Sequence, residues 1–240
     1  HLKVRPMPKP RLIIPNRSDG TSPDLAIYHT TSRVVHRQFL FQADEKEQFR
    51  VLMRMYERFS GCRILSYCVM TNHFHLLLEV PPPPSDEEFG ISEEELIHRL
   101  GGLYSRAYVA GVQAEVLEAR MIAEGKREHF SRLSKADQKK EIAYGRAQLT
   151  AIFERYTKRM HSLSEFMRGL LQRYTRWFNK RHGMRGTLWE DRFHSVIVQS
   201  GLTARTMAAY IDLNPVRAGI CKDPADYRWS SYGEAVGGGR

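Results

Sequence analysis

The sequence predicts an α+β fold, a small antiparallel sheet covered by helices and broken by a helical insertion. Three observations carry this. Short β-branched and aromatic runs lie near residues 26–36, 62–80 and 195–199, and apolar stripes at helical spacing lie between or after them. Residues 85–160 change character to long, charge- and alanine-rich sequence.

From Ala26 to His36 the content of Tyr28, Thr30, Thr31, Val34 and Val35 reads as a strand. Asp44 can cap a helix running to about Phe59, with Phe49, Leu52, Met53, Tyr56 and Phe59 on one stripe and Gly61 as its stop. Two apolar runs, Cys62 to Met70 and Phe74 to Val80, are separated by the polar Thr71 and Asn72 and read as adjacent strands. Pro81 to Pro84 end the second. The insertion opens on acidic sequence around Asp86, Glu87, Glu88 and Glu93 to Glu95, which reads foremost as a solvated charged face. Ser164 to His182 is a helix with Phe166, Leu170, Leu171, Tyr174 and Phe178 on its apolar side, closed by Gly183 and Gly186. Ser195 to Gln199 is a short strand, and Thr203 opens a helix expected to end near Pro215. Ahead of all this, residues 1–24 hold Pro6, Pro8, Pro10, Pro15 and Pro23 among basic residues, an extended arm or a loose tail. The expected organisation is an arm over 1–24, a main domain from 25–84 and 161–240, and a helical insertion over 85–160.

The 240 residues, 42% of them hydrophobic, suffice for a sizeable core. Lys and Arg number 37 against 27 Asp and Glu, a formal charge of +10. That favours a polyanionic partner, although solubility explains a moderate basic excess as well. Cys62, Cys68 and Cys221 form no CxxC pair and leave an odd thiol, which argues against a disulfide framework or zinc knuckle and fits the reducing cytoplasm. No apolar run reaches the roughly 18 residues of a membrane helix, and no charged-then-apolar leader is expected at the start.

Chemistry concentrates in two segments. In Thr71-Asn72-His73-Phe74-His75, residues i and i+2 of a strand share a face, so His73 and His75 present two imidazoles side by side while Phe74 points the other way. Neutral imidazoles so placed suit a divalent cation, and they equally suit ordinary hydrogen bonding at a sheet edge. In Tyr210-Ile211-Asp212-Leu213-Asn214-Pro215, helical i and i+4 spacing puts the Tyr210 phenol and the Asn214 amide on one face. The plainer reading makes Tyr210 a core aromatic and Asn214 a helix-ending residue before proline.

Taken together, Tyr67 to Leu77, Gly186 to Phe193 and Tyr210 to Gly219, with Tyr28-His29 and Ser32-Arg33, resemble the REP-associated tyrosine transposases, a branch of the HUH single-strand nucleases. The resemblance implies a ferredoxin-like antiparallel sheet with helices on one side. It implies His73 and His75 as metal ligands, Asn214 completing the site, Tyr210 as nucleophile, and Mg²⁺ or Mn²⁺ as the ion. The activity it implies is cleavage and rejoining of single-stranded DNA at palindromic repeat hairpins with unpaired flanks, through a covalent 5′-phosphotyrosine. The length of the 85–160 segment departs from a compact member.

Between Arg155 and Arg192 stand ten Arg or Lys and three acidic residues, interleaved with aromatics. Basic residues track phosphates and aromatic faces stack on unpaired bases. Arg173, Arg176, Lys180, Arg181, Arg185 and Arg192, with Lys3, Arg5, Lys9 and Arg11 of the arm, are the expected DNA contacts. Two alternatives stand beside this reading. Tyr174 could be the nucleophile, against which its i+4 residue, Phe178, cannot ligate a metal. The protein could also be a non-catalytic DNA-binding regulator, monomeric or homodimeric like the enzyme.

Overall fold

The computed structural model describes residues 25–35, 40–82 and 89–237. They form two compact units. The first takes in the described residues up to Glu47, Arg63–Pro82 and the chain from Gly183 onward; the second takes in Gln48–Cys62 and the described residues 89–182.

In the first unit, β1 (Ala26–Arg33), β2 (Arg63–Val69), β3 (His73–Val80) and β4 (His194–Val198) make one sheet in the order β2-β3-β1-β4. Every neighbouring pair is antiparallel. This is the α+β, ferredoxin-like strand order expected above, with β3 inserted between β1 and β2. The register sets Arg33 opposite His73, Thr31 opposite His75 and His29 opposite Leu77, while β4 pairs Val198 with Ile27. Directly paired residues of an antiparallel ladder share a face. One face therefore carries Ile27, Leu77 and Val198, which cluster with Cys68 and Met70. Helix α6 (Leu202–Asp212) covers that cluster with Ile211, supported by Ala204, Met207 and Ala208. Tyr227 closes it, its hydroxyl donating to the Val69 carbonyl at 2.7 Å. On the opposite face Phe74, Leu76 and Leu78 are fully buried, and the Phe74 ring meets Trp189 edge-on at 5.6 Å.

Two boundaries differ from expectation. Strand β1 stops at Arg33, after which Val34 forms only an isolated bridge to Trp189. Helix α6 ends at Asp212, and Pro215 sits in the first turn of a separate helix, α7 (Asn214–Arg217). A first-turn residue needs no amide donor, so proline is tolerated there and the chain turns on rather than stopping. The segment beyond Gly219, to which no element was assigned from sequence, adds α8 (Ser231–Val236) and a bridge from Ser230 to Cys68 of β2.

The second unit contains most of α1 (Ala43–Ser60), then α2 (Glu93–Gly101), α3 (Arg106–Ala123), α4 (Lys135–Thr157) and α5 (Leu163–His182). Ser92, Ser105 and Ser134 cap α2, α3 and α4, each side chain accepting a first-turn amide that would otherwise lack a partner. Val112, Val116, Ala119 and Ile122 of α3 and Leu149, Ile152 and Phe153 of α4 are buried. The solvated face carries pairs such as Arg120–Glu93 and Arg155–Glu115, each worth about 0–1 kcal/mol at most. Among the described residues, no helix is long and apolar enough to cross a membrane.

Helices α3 and α4 come close together at Gly145, where an added Cβ would lie 2.3 Å from the Ala123 amide nitrogen and 2.8 Å from its Cα. Alanine in place of a mid-helix glycine gains about 1 kcal/mol of propensity, whereas forcing two backbones apart costs about 1–3 kcal/mol. Gly145→Ala is therefore expected to lower the thermal unfolding midpoint, and an unchanged or raised midpoint would show that the helices separate freely.

Candidate active site

The two histidines of β3 and His29 of β1 project from the face that α6 covers, beyond the end of its apolar cluster. The side-chain alternation that buries Phe74 on the other side places them there. His73 and His75 stand edge to face with ring centroids 5.1 Å apart. His29 stacks on His75 at 5.2 Å, and its Nε2 shares a hydrogen bond with His75 Nδ1 at 3.0 Å. His73 Nδ1 lies 2.7 Å from Asn72 Oδ1. Because that oxygen can only accept, His73 donates through Nδ1 and keeps its Nε2 lone pair.

Tyr210, on α6, completes the cluster. Its ring lies edge-on to His75 at 6.1 Å and to His29 at 6.3 Å, with 37% of the residue exposed. Arg217, one turn past the helix end, sets its guanidinium 4.8 Å from the Tyr210 ring centroid, a cation–π contact that holds the ring in place. Tyr210 is thus no core aromatic. Asn214 behaves differently: its amide nitrogen donates to the carbonyls of Tyr210 at 3.0 Å and Ile211 at 3.3 Å, capping the end of α6 and leaving only Oδ1 for any further partner.

A cavity of about 210 Å³ opens beside the pair, lined by Thr31, Ser32, Arg33, His73, His75, Glu190 and His194. Burial holds all three imidazoles below the usual histidine range. His73 is pushed down to about 4, with the Arg33 cation adding to the effect. His75 falls to about 3 through burial, reinforced by His73, His29 and Arg33. His29 is lowered by burial alone. At neutral pH the site therefore presents neutral imidazoles with available lone pairs, the protonation state that metal ligation requires.

The remaining expected residues are dispersed. Arg185 and Arg192 are exposed in the first unit, whereas Arg173, Arg176, Lys180 and Arg181 lie on α5 in the second. Lys3, Arg5, Lys9 and Arg11 lie outside the described residues. Tyr174 is completely buried, its ring 5.2 Å from Phe49. Sequence reasoning did not place His29, Asn72, Arg217, Glu190 or His194 at the site. His29 had a signal in the strand period, being two residues before Thr31, which pairs with His75; the others depend on loop and sheet geometry. Among the described residues, no group of three or more His, Cys, Asp and Glu side chains is disposed to hold a metal ion.

Imidazoles of β1 and β3 and the Tyr210 phenol thus gather over one face of an antiparallel sheet. Residues 23–115 match the family model described as transposase, IS200-like, a stretch that contains His29, His73 and His75 and ends before Tyr210. That match spans less than half of the chain. The chain is also similar to a solved structure described as a REP-associated tyrosine transposase bound to a REP hairpin, at 14% identity over 89% of this chain and 81% of that one, with a TM-score of 0.44. No curated protein matches the chain.

The depressed imidazoles have a consequence for stability. The unfolded chain takes up protons at these histidines near pH 6.5, but the native state resists them down to about pH 4 or below. Where the unfolded state binds more protons, stability falls as pH falls, by up to about 1.4 kcal/mol per pH unit for each such group. Denaturant unfolding should thus show stability declining from pH 6.5 to 5, before most carboxylates titrate, and His73→Gln/His75→Gln should flatten that decline. Equal slopes in the two proteins would mean that the native histidines titrate freely.

Proposed function

We propose that this protein is a metal-dependent tyrosine transposase that cuts and rejoins single-stranded DNA at palindromic repeat hairpins through a covalent 5′-phosphotyrosine. The observation that carries the reading is the convergence of Tyr210 with His75 and His29 at about 6 Å between rings, beside the cavity that His73 and His75 line.

The donor set fits a divalent ion, Mg²⁺ or Mn²⁺. His73 commits Nδ1 to Asn72 and His75 engages Nδ1 with His29, so each keeps Nε2 for the ion, with Asn214 Oδ1 as a third donor. Such an ion supplies Lewis-acid polarisation of the scissile phosphate. For His75 to keep an Nε2 lone pair, its Nδ1–H must donate to His29 Nε2, and the neutral state that burial imposes on His29 makes it an acceptor.

The protein's own steps follow from position. Arg217 fixes the Tyr210 ring, and α6 holds its oxygen near the phosphate for in-line attack. The phenol loses its proton as its oxygen bonds to phosphorus, the P–O3′ bond breaks, and the 3′ oxygen leaves as a hydroxyl after taking up a proton. The phosphodiester is retained as a tyrosyl ester. A second 3′-hydroxyl can attack it, reform a P–O3′ bond and return the proton to Tyr210, which is strand transfer rather than hydrolysis. A paired duplex presents its phosphates poorly to a nucleophile fixed on a helix. A hairpin with unpaired flanks lets them thread in.

A labelled hairpin with single-stranded flanks should form a detergent-resistant adduct with the protein, and this adduct should vanish in Tyr210→Phe, in excess chelator and on the fully annealed duplex. It should persist in Tyr174→Phe. Adducts surviving in Tyr210→Phe, or equal cutting of the duplex, would refute the assignment.

His29 offers a finer test, because a glutamine oxygen can accept the His75 proton and leucine cannot. His29→Leu should raise the Mn²⁺ concentration for half-maximal cleavage about 10–100-fold, whereas His29→Gln should largely restore it. Equal behaviour of the two variants would remove His29 from the orienting role.

A further inference from the structure

The helical unit contains a cavity of about 490 Å³ whose wall includes Arg159, Arg173, Arg176 and Lys180 and no acidic side chain. Among the described residues, none of these four cations forms an ion pair. Arg173, Arg176 and Lys180 follow each other at helical spacings of three and four on α5, so they share one face. Arg159 and Arg173 are held from behind. Arg159 donates to the Tyr104 hydroxyl, and Arg173 donates to the Leu103 carbonyl at 3.1 Å and also contacts the Tyr56 phenol. Arg176 and Lys180 are exposed at the rim.

Four positive charges gathered around one space repel each other, and an anion in that space reverses the sign of the energy. The rest of the wall selects among anions. Tyr104, half-buried, is stacked on Tyr108 at 4.5 Å, and Trp177, also half-buried, lines the cavity from α5. The volume falls in the roughly 300–1,000 Å³ range of small-ligand pockets, more than a bare phosphate fills. Cations for a phosphate beside aromatic rings for a base are the pairing found in single-strand binding sites.

We propose that this cavity binds one nucleotide of single-stranded DNA, its phosphate on Arg159, Arg173, Arg176 and Lys180 and its base against Trp177 and Tyr104. The proposal rests on the reading above that single-stranded DNA is the substrate. It makes the helical unit, α5 together with Tyr104 and Arg159 of the insertion, a DNA-holding element. Paired DNA cannot use the cavity, since its bases are stacked within the helix.

The test uses the full chain carrying Tyr210→Phe, with fluorescence anisotropy of a labelled twelve-nucleotide thymidine strand and competition by thymidine monophosphate and inorganic phosphate. Arg176→Glu/Lys180→Glu, which alters only exposed side chains, should weaken strand binding at least tenfold. Trp177→Leu should weaken both strand and monophosphate about five- to a hundredfold while leaving inorganic phosphate unaffected. Strand affinity unchanged in both variants overturns the proposal. Competition by inorganic phosphate equal to that by the monophosphate also overturns it, reducing the cavity to a simple anion site. Failure of the transposase reading is seen separately, as absence of the covalent adduct in the unaltered protein, and does not move these affinities.

Discussion

Strand β3 is hydrogen-bonded on both edges, to β2 and to β1, so its side chains must meet the demands of two faces at once. Phe74, Leu76 and Leu78 satisfy one face by complete burial, which forces His73, His75 and Leu77 onto the other. Slippage by one residue would send these three side chains to the histidine side and drive both histidines into the apolar layer around Phe74. The apolar side therefore locks the register, and the register in turn places the imidazoles opposite Arg33 and Thr31 and within reach of His29.

The same constraint sets the electrostatics. Histidines partly shielded beneath a helix resist protonation, and each gains a fixed hydrogen-bond partner for one ring nitrogen. Two solvent-facing histidines would have neither constraint. Tyr210 is the opposite case, carried by a helix whose inner side is anchored by Ile211 while the phenol remains accessible. The nucleophile proposed here can thus meet a large substrate without disturbing the core that positions it.

Charge is distributed differently in the helical unit. Its surface carries pairs such as Arg120 with Glu93 and Arg155 with Glu115, whereas Arg173, Arg176 and Lys180 share one face of α5 and line one cavity. Net charge raises the concentration of any polyanion nearby, whereas a lined cavity selects one.

Local periodicity in the sequence determined the elements. The alternation through Cys62 to Val80 marked two strands and put His73 and His75 on one side. The apolar stripe from Phe166 to Phe178 marked α5, and three ordered motifs pointed to the strand order now seen in the sheet. Element ends were less legible: β1 stopped before His36, and Pro215 began a new turn where a stop was expected, because proline's missing donor matters only after the first turn. Tertiary structure alone decided that Tyr210 approaches His29 and His75, that Asn214 turns its amide nitrogen to its own helix, and that Asn72 and His29 take up one nitrogen of each β3 histidine. It also decided which cations of α5 share a cavity with Tyr104 and Arg159, residues up to some 70 positions away in the chain. Sequence spacing reports neighbours on one helix or strand; contacts between elements depend on register and packing, which no single segment contains.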